Sequence, residues 1–205
     1  MNVPYISPYQ DVQPTQWAAK TMELLRAYPL QGVQIVNPIL EAWDSIFESK
    51  IGRHGIQIGK DIFPTPQIMA SYLHELIPLE FAALYPGQWR GDRKADEKDL
   101  VYIPDAQFSA EIKTSSDPRK IFANRSYAQE ASSLKKNKNG YYIAVNFEKF
   151  ASDRSVPQRP RIRRIRFGWL DHSDWRGQDK PTGQQASLLP DSEKGKLIVL
   201  YEATH

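Results

Sequence analysis

The sequence predicts an α/β fold, because helical patterns fill its first half and strand patterns fill its second half. Before residue 85, apolar residues recur every three or four positions, as is typical of amphipathic helices. From residue 98 onward, short apolar runs replace this period and favour strands. A length of 205 residues, with 40% hydrophobic and 25% charged residues, is typical of one globular domain.

The first part of the chain, about residues 15–85, is predicted to be helical. One helix runs from Trp17 to Tyr28, just before Pro29. A second helix carries an apolar stripe from Val36 to Phe47, with Asn37 and Pro38 as its cap and first-turn residue.

The rest of the chain is predicted to contain two more helices and five strands. A third helix begins at Thr65 and Pro66, and Pro78 is expected to kink or split it. Within the sheet region, about residues 98–170, a fourth helix is predicted from Ser126 to Lys136. The predicted strands are Leu100 to Ile103, Phe108 to Thr114, Tyr141 to Phe147, Arg161 to Leu170 and Lys196 to Tyr201. The C-terminal part, residues 171–205, is loop-rich, with loops expected from 171 to 193.

Composition excludes several classes of site. The chain has no cysteine, so disulfides and thiolate zinc sites are excluded. The opening MNVPYISPYQD has no basic and apolar leader, and no apolar run reaches bilayer length, so we expect a cytoplasmic protein. A net charge of +3 slightly favours an anionic partner.

The stretch KDLVYIPDAQFSAEIKTSS, residues 98–116, is predicted to be a β-hairpin with a candidate site on one face. In a strand, Glu111 and Lys113 point to the same side. A two-residue turn would place Asp99 opposite residue 112, whereas an odd-length loop would place it opposite Glu111 or Lys113. Only the second register gathers all three side chains on one face.

Such a set suits metal-assisted hydrolysis of a phosphodiester. Two carboxylates bind Mg²⁺ through hard oxygen ligands, and a lysine orients the attacking water or offsets developing negative charge. The alternative is a cross-strand ion pair on the surface, since an acid-x-Lys triplet occurs four times in this chain. Asp105, at the hairpin tip, would lie about 20 Å from Glu111 at the rise of a strand, too far to share a metal.

Longer segments carry a resemblance to a known family. EAWDSIF, DIFPTPQIM, LHELIPLEFA, KDLVYIPD, EIKTSS, NRSYAQ, GYYIAVNFEKF and RFGWLDHSDW, between about Glu41 and Trp175, resemble type II restriction endonucleases of the ScaI family, in the PD-(D/E)xK nuclease superfamily. The resemblance implies a single nuclease domain over residues 1–205, with a PD-(D/E)xK restriction-endonuclease-like fold, a central mixed sheet flanked by helices. It also implies a homodimer that cuts both strands of a palindromic site with Mg²⁺, paired with a cognate DNA methyltransferase.

Carried over to this chain, the resemblance implies that Asp99 and Glu111 bind the metal and that Lys113 is the catalytic lysine. The superfamily's name points to Asp105, which follows a proline, whereas the spacing within the hairpin favours Asp99. Many such nucleases add a glutamate from a preceding helix, for which the candidates are Glu41, Glu75 and Glu80.

Two further groups of residues are candidate DNA contacts. Arginines of the segment RPRIRRIR, residues 159–166, suit phosphates and guanine edges, or alternatively a solvated edge strand. Residues just after the catalytic strand are near the substrate by position, or alternatively cap a helix. The DNA-binding candidates are Asn124, Arg125, Ser126, Tyr127, Gln129, Lys135, Lys136, Arg161, Arg163 and Arg166. His172 is expected to be structural or to face DNA.

The sequence therefore predicts a Mg²⁺-dependent, type II site-specific deoxyribonuclease. The alternatives are a repair or recombination nuclease of the same fold, and a catalytically inactive DNA-binding module.

Overall fold

The computed structural model describes residues 6–130, 137–180 and 182–204. Its α-helices are α1 (Trp17–Ala27), α2 (Gly32–Glu48), α3 (Pro66–Leu84) and α4 (Pro190–Lys196). Its strands are β1 (Trp89–Gly91), β2 (Leu100–Tyr102), β3 (Ala110–Ser115), β4 (Phe122–Asn124), β5 (Gly140–Phe147), β6 (Ile162–Leu170), β7 (Trp175–Gly177), β8 (Gln185–Leu188) and β9 (Leu197–Glu202).

The main sheet has six strands in the order β1-β2-β3-β5-β6-β9. Strands β3 and β5 run parallel, and the other neighbouring pairs are antiparallel. The sheet is therefore mixed, and the helices that pack on it make the fold α/β. The sequence prediction of a central mixed sheet flanked by helices is confirmed at this level.

Strand β5 lies at the centre of the core and is buried on both faces. Tyr141, Ile143 and Val145 join the cluster of apolar residues supplied by α1, α2 and α3. Tyr142 and Ala144, on the opposite face, join a second cluster with residues of β7 and β8. Burial on both faces explains why this strand is a nearly continuous apolar run in the sequence.

A second sheet of three strands, in the order β4-β8-β7, covers that opposite face. The prediction that residues 171–193 are loops is wrong, because β7, β8 and the start of α4 lie there. Each strand is only three or four residues long, and Trp175, Ala186 and Leu188 supply its few buried side chains. An alternation of buried and exposed residues over so few positions gives no clear strand pattern among the polar residues around it.

Two helices differ from their prediction. Helix α2 begins at Gly32 rather than at Pro38, and Gln34 Oε1 accepts a hydrogen bond of 2.8 Å from the Gln31 amide at its start. Helix α3 continues through Pro78 without a break. Both prolines are buried, so packing of their rings offsets the missing backbone hydrogen bond.

Among the described residues, no helix combines the length and apolarity needed to cross a bilayer.

The helix predicted from Ser126 to Lys136 is wrong over its described part. Residues Arg125–Ala128 form a short 3-10 helix, and Gln129 is already extended, with φ −120° and ψ 145°. Residues 131–136 lie outside the described residues, and with them the predicted DNA contacts Lys135 and Lys136.

Candidate active site

The hairpin of β2 and β3 places Asp99 and Glu111 on one face. Leu100 pairs with Ala110, so Asp99 lies opposite Glu111. This is the register of an odd-length connection, the one that gathers the two carboxylates with Lys113. Asp99 Oδ2 also accepts a hydrogen bond of 2.8 Å from the Ile112 amide, which fixes the carboxylate where β2 begins.

Glu111 and Lys113 form a close ion pair on this face. Lys113 Nζ lies 2.7 Å from Glu111 Oε1, and Glu111 is only 1% exposed. A second ammonium, that of Lys98, lies 4.0 Å from Glu111 Oε2. Glu111 is therefore buried and Lys113 is partly buried, in contrast to the alternative of a solvated surface ion pair.

Tyr127 joins this pair from the 3-10 helix that follows β4. Its hydroxyl donates a hydrogen bond to Glu111 Oε1 and accepts one of 3.1 Å from Lys113 Nζ. Burial raises the pKa of Tyr127 well above its usual range, and the negative charge of Glu111 raises it further. The phenol thus stays protonated and acts as a hydrogen-bond donor to the carboxylate.

The small sheet supports Tyr127 from behind. The Tyr127 ring packs edge-on against Trp175 of β7, with 5.8 Å between ring centroids. Tyr142 of β5 lies 5.9 Å from the same indole. The segment that sequence patterns assign to loops thus builds the wall of the site.

A cleft of about 540 Å³ opens beside Lys113. Of the sequence candidates, it is lined by Lys113, Asn124 and Tyr127. The other lining residues, which sequence reasoning missed as site residues, are His74, Thr114, Phe122, Ala123, Gln178, Gln184 and Gln185. A run of glutamines near glycine and proline carries no periodic signal, and His74 approaches through the long-range packing of α3.

A second cleft is lined by Asp99, and His74 lines both clefts. His74 Nδ1 is 3.9 Å from Asp99 Oδ2, and Glu75 lines the same cleft as Asp99. Of the other helix glutamates considered, Glu41 is exposed on α2 and Glu80 lies further along α3. Of the three helix glutamates considered, Glu75 is therefore the one that shares a cleft with Asp99.

Asp105 is a turn residue. It is exposed, and its Oδ1 accepts a hydrogen bond of 3.0 Å from the Gln107 amide at the start of the 3-10 helix Ala106–Phe108. This capping bond accounts for an aspartate after Pro104 without a metal.

The donor atoms at the hairpin fit a hard cation such as Mg²⁺. Asp99 and Glu111 contribute carboxylate oxygens, and the carbonyl of Ile112, the residue between Glu111 and Lys113, lies 3.2 Å from Lys113 Nζ. Within the described ranges, no three histidine or acidic side chains form a cluster able to hold a metal. A cation held by so few protein ligands would keep several waters, as Mg²⁺ commonly does.

The five arginines of residues 159–166 are all ion-paired. Each has a carboxylate oxygen within 4.0 Å, from Asp44, Glu48, Glu148, Glu193 or Glu202. The alternative of an edge strand is wrong, because β6 lies between β5 and β9. Arg161 and Arg163 are exposed near Phe147, which is five residues along β5 from Tyr142, the partner of Glu111. This places them roughly 17 Å along the sheet from the pair Glu111 and Lys113.

Arg166, a predicted DNA contact, is instead buried and bonded within the protein. It is 3% exposed, and its guanidinium lies 2.8 Å from Glu193 and 3.0 Å from the side-chain oxygen of Asn146. It also donates a hydrogen bond of 2.5 Å to the Arg119 carbonyl. These bonds account for its charge inside the protein.

The segment after β3 divides into separate roles. Asn124 is exposed in the cleft, and its side chain makes no capping bond to the 3-10 helix. The Arg125 guanidinium donates to the carbonyls of Lys180 and Gly183, at 3.2 and 3.4 Å, and so holds the loop between β7 and β8. Ser126 and Gln129 are exposed.

His172 has contacts typical of a structural residue. Its amide donates a hydrogen bond of 2.8 Å to Asn139, and its ring lies 3.9 Å from Glu130. These contacts support the expectation that His172 is structural, and not the alternative that it faces DNA.

Comparisons with known proteins identify relatives of this chain. The family model described as ScaI restriction endonuclease matches residues 7–201. A curated relative, "Type II restriction enzyme ScaI" from Streptomyces caespitosus, is 51% identical over 197 residues, which cover 95% of this chain and 85% of the relative. The search of solved structures gave no match.

Proposed function

This chain belongs to the ScaI restriction endonuclease family, and we propose that it cuts both strands of duplex DNA within a short palindromic site with Mg²⁺ as cofactor. Membership and 51% identity support a sequence-specific DNA endonuclease of type II. We extend this to the PD-(D/E)xK nuclease fold, with the whole chain acting as one nuclease domain. The mixed sheet and the acidic hairpin support that assignment.

The observation that carries the proposal is the set Asp99, Glu111 and Lys113 on one face of β2 and β3. The two carboxylates lie at opposed positions of the hairpin, and the ammonium lies 2.7 Å from Glu111. A buried acid beside a lysine, at the edge of an open cleft, is the arrangement that phosphodiester hydrolysis needs.

The roles follow from the chemistry of each group. Asp99 and Glu111 would hold Mg²⁺, which when bound supplies positive charge for the phosphate and helps to deprotonate the attacking water. Lys113 lines the cleft, where its ammonium orients that water and offsets negative charge on the phosphate. Tyr127 keeps Glu111 and Lys113 in register by bonding to both.

DNA contact outside the hairpin is assigned to exposed residues near the cleft. Ser126 and Gln129 follow β4, and Asn124, the last residue of β4, lines the cleft itself. Arg161 and Arg163, which are exposed at the far end of β6, would meet the phosphate backbone away from the cut bond. Lys135 and Lys136 remain predicted backbone contacts.

We further propose a homodimer, since a two-fold protein matches a two-fold DNA site and cuts both strands symmetrically. A site-specific nuclease that works beside the cell's own DNA requires protection of the same site. A cognate DNA methyltransferase and a cytoplasmic location are therefore part of the proposal.

Digestion of a plasmid of known sequence tests the proposed function. The chain is expected to produce discrete fragments with Mg²⁺ and none with a chelator present. Cutting at ends or branched junctions without sequence preference would instead support a repair or recombination nuclease. DNA binding without cutting at any Mg²⁺ concentration would support an inactive binding module.

A further inference from the structure

Four side-chain amides gather on the small sheet beside the catalytic lysine. Asn124, Gln178, Gln184 and Gln185 are all exposed, and all line the cleft that Lys113 lines. Strand β8 alternates, with Ala186 buried, so that Gln185 points outward. Asn124 pairs with Gln185 across the β4–β8 ladder, which places both amides on one face.

The ribbon formed by β7 and β8 holds these amides in place. The backbone amide of Gln178 donates a hydrogen bond of 2.9 Å to the backbone carbonyl of Gln185. The side-chain nitrogen of Gln178 also lies 3.4 Å from Gln185 Oε1. Gln178 also lies over Gly183, where an added Cβ would come within 2.6 Å of it. Arg125 closes the loop by bonding to the Lys180 and Gly183 carbonyls.

The chemistry of this wall differs from that of a phosphate-binding surface. Phosphates are bound mainly by lysine and arginine, whereas the Arg125 guanidinium bonds to loop carbonyls and the cleft-facing groups of the ribbon are neutral amides. An amide presents a donor and an acceptor side by side, which matches N7 and the N6 amino group of adenine in the major groove.

We propose that the β7–β8 ribbon enters the major groove and that Gln185, positioned by Gln178, reads an adenine of the recognition site. A two-stranded ribbon fits the width of that groove. Because the amides share a cleft with Lys113, the base read lies close to the bond that is cut. The inference rests on the proposed function and adds to it the residue and the base that determine specificity.

The test combines a protein variant with a base analogue. The recognition site is first mapped by digestion of DNA of known sequence, and each of its adenines is then replaced by 7-deazaadenine, which lacks the N7 acceptor. Cleavage of each duplex is measured for the wild type, for Gln185→Ala and for the control Gln16→Ala, whose exposed side chain makes no capping bond at the start of α1.

At one adenine, the wild type and Gln16→Ala should lose roughly 5- to 150-fold in cleavage rate on removal of N7. Gln185→Ala should be slowed by a similar factor on normal DNA and lose no more on the analogue. Gln178→Ala should show a smaller loss at the same adenine. Circular dichroism of each variant checks that it is folded.

Three results would overturn the inference. The first is that the losses from Gln185→Ala and from removal of N7 multiply at every adenine. The second is that Gln185→Ala cuts normal DNA as fast as the wild type. The third is that the mapped site contains no A·T pair. A wild type that gives no discrete fragments contradicts the proposed function, and the inference fails with it. The first digestion therefore separates the two failures.

Discussion

Lys113 Nζ and Glu111 Oε1 lie 2.7 Å apart on one face of a buried strand, and both bond to the Tyr127 hydroxyl. This contact separates the acid-x-Lys triplet of β3 from the other three triplets in the chain. An ion pair between the same residues on a solvated loop would contribute little to stability. Their position on a rigid strand beside a cleft makes them the centre of the proposed site.

We expect Asp99→Asn to lower the cleavage rate by roughly a hundredfold or more, because the amide is a poor ligand for Mg²⁺ but retains an acceptor for the Ile112 amide. Asp105→Asn is the matched control, since Asp105 only caps a turn, and its rate should change less than about twofold. Cleavage rates at saturating Mg²⁺ measure both. An active Asp99→Asn enzyme beside an inert Asp105→Asn enzyme would reverse the assignment.

Removal of the Tyr127 hydroxyl should slow cleavage about tenfold, since a hydrogen bond to a charged group contributes roughly 1.5 kcal/mol. Tyr127→Phe keeps the ring against Trp175, so DNA affinity should stay close to wild type and the melting temperature should fall by only about 5 °C. Tyr142→Phe is the control, because its hydroxyl bonds to the Lys138 carbonyl instead of to the pair. An equal loss of rate in both variants would show that buried hydroxyls matter only for packing.

Arg166 is expected to stabilise the fold. Arg166→Ala leaves Glu193 and Asn146 without their buried partner and should lower the free energy of unfolding by about 3 kcal/mol. Arg161→Ala, at an exposed ion pair with Glu148, should change it by less than about 0.5 kcal/mol. Urea unfolding measures both. Equal stability of Arg166→Ala and the wild type, with weaker DNA binding, would restore Arg166 as a DNA contact.

The ion pair between Glu97 and Arg90, in the segment before Asp99, should persist at low pH. Hydrogen bonds from Arg90 and from the Arg93 amide lower the pKa of Glu97 to about 2. A carboxyl whose pKa is lowered on folding stabilises the protein fully above its unfolded pKa, and this contribution is lost as the pH falls toward 2. An NMR titration should find Glu97 ionised at pH 3 in the wild type and titrating nearer 4.5 in Arg90→Met. Titration near 4.5 in both would contradict the contact.

The sequence predicts the hairpin well because its information is local. Spacing within one segment leaves Asp99 opposite residue 111, 112 or 113 and places Asp105 too far from Glu111, and the structure has Asp99 opposite Glu111. The central strand is predicted for the same reason, since burial on both faces leaves a run from residue 141 to residue 147 that is apolar except at Asn146.

What the sequence does not predict depends on partners far apart in the chain. The carboxylates that pair with the arginines of residues 159–166 come from positions up to 115 residues away in the chain, as with Asp44 and Arg159. The amides of β7 and β8 reach the cleft only because a second sheet forms over β5. Neither relationship leaves a periodic pattern in the sequence.

The most direct test of the central claim is cleavage by Lys113→Ala, measured together with DNA binding. The rate should fall by roughly a thousandfold or more, because the ammonium acts on the reacting groups, while affinity for the DNA measured in chelator stays near wild type. Lys94→Ala, an exposed lysine in the second triplet of this type, should cut normally. A Lys113→Ala enzyme that cuts at the wild-type rate would contradict the site proposed for this protein.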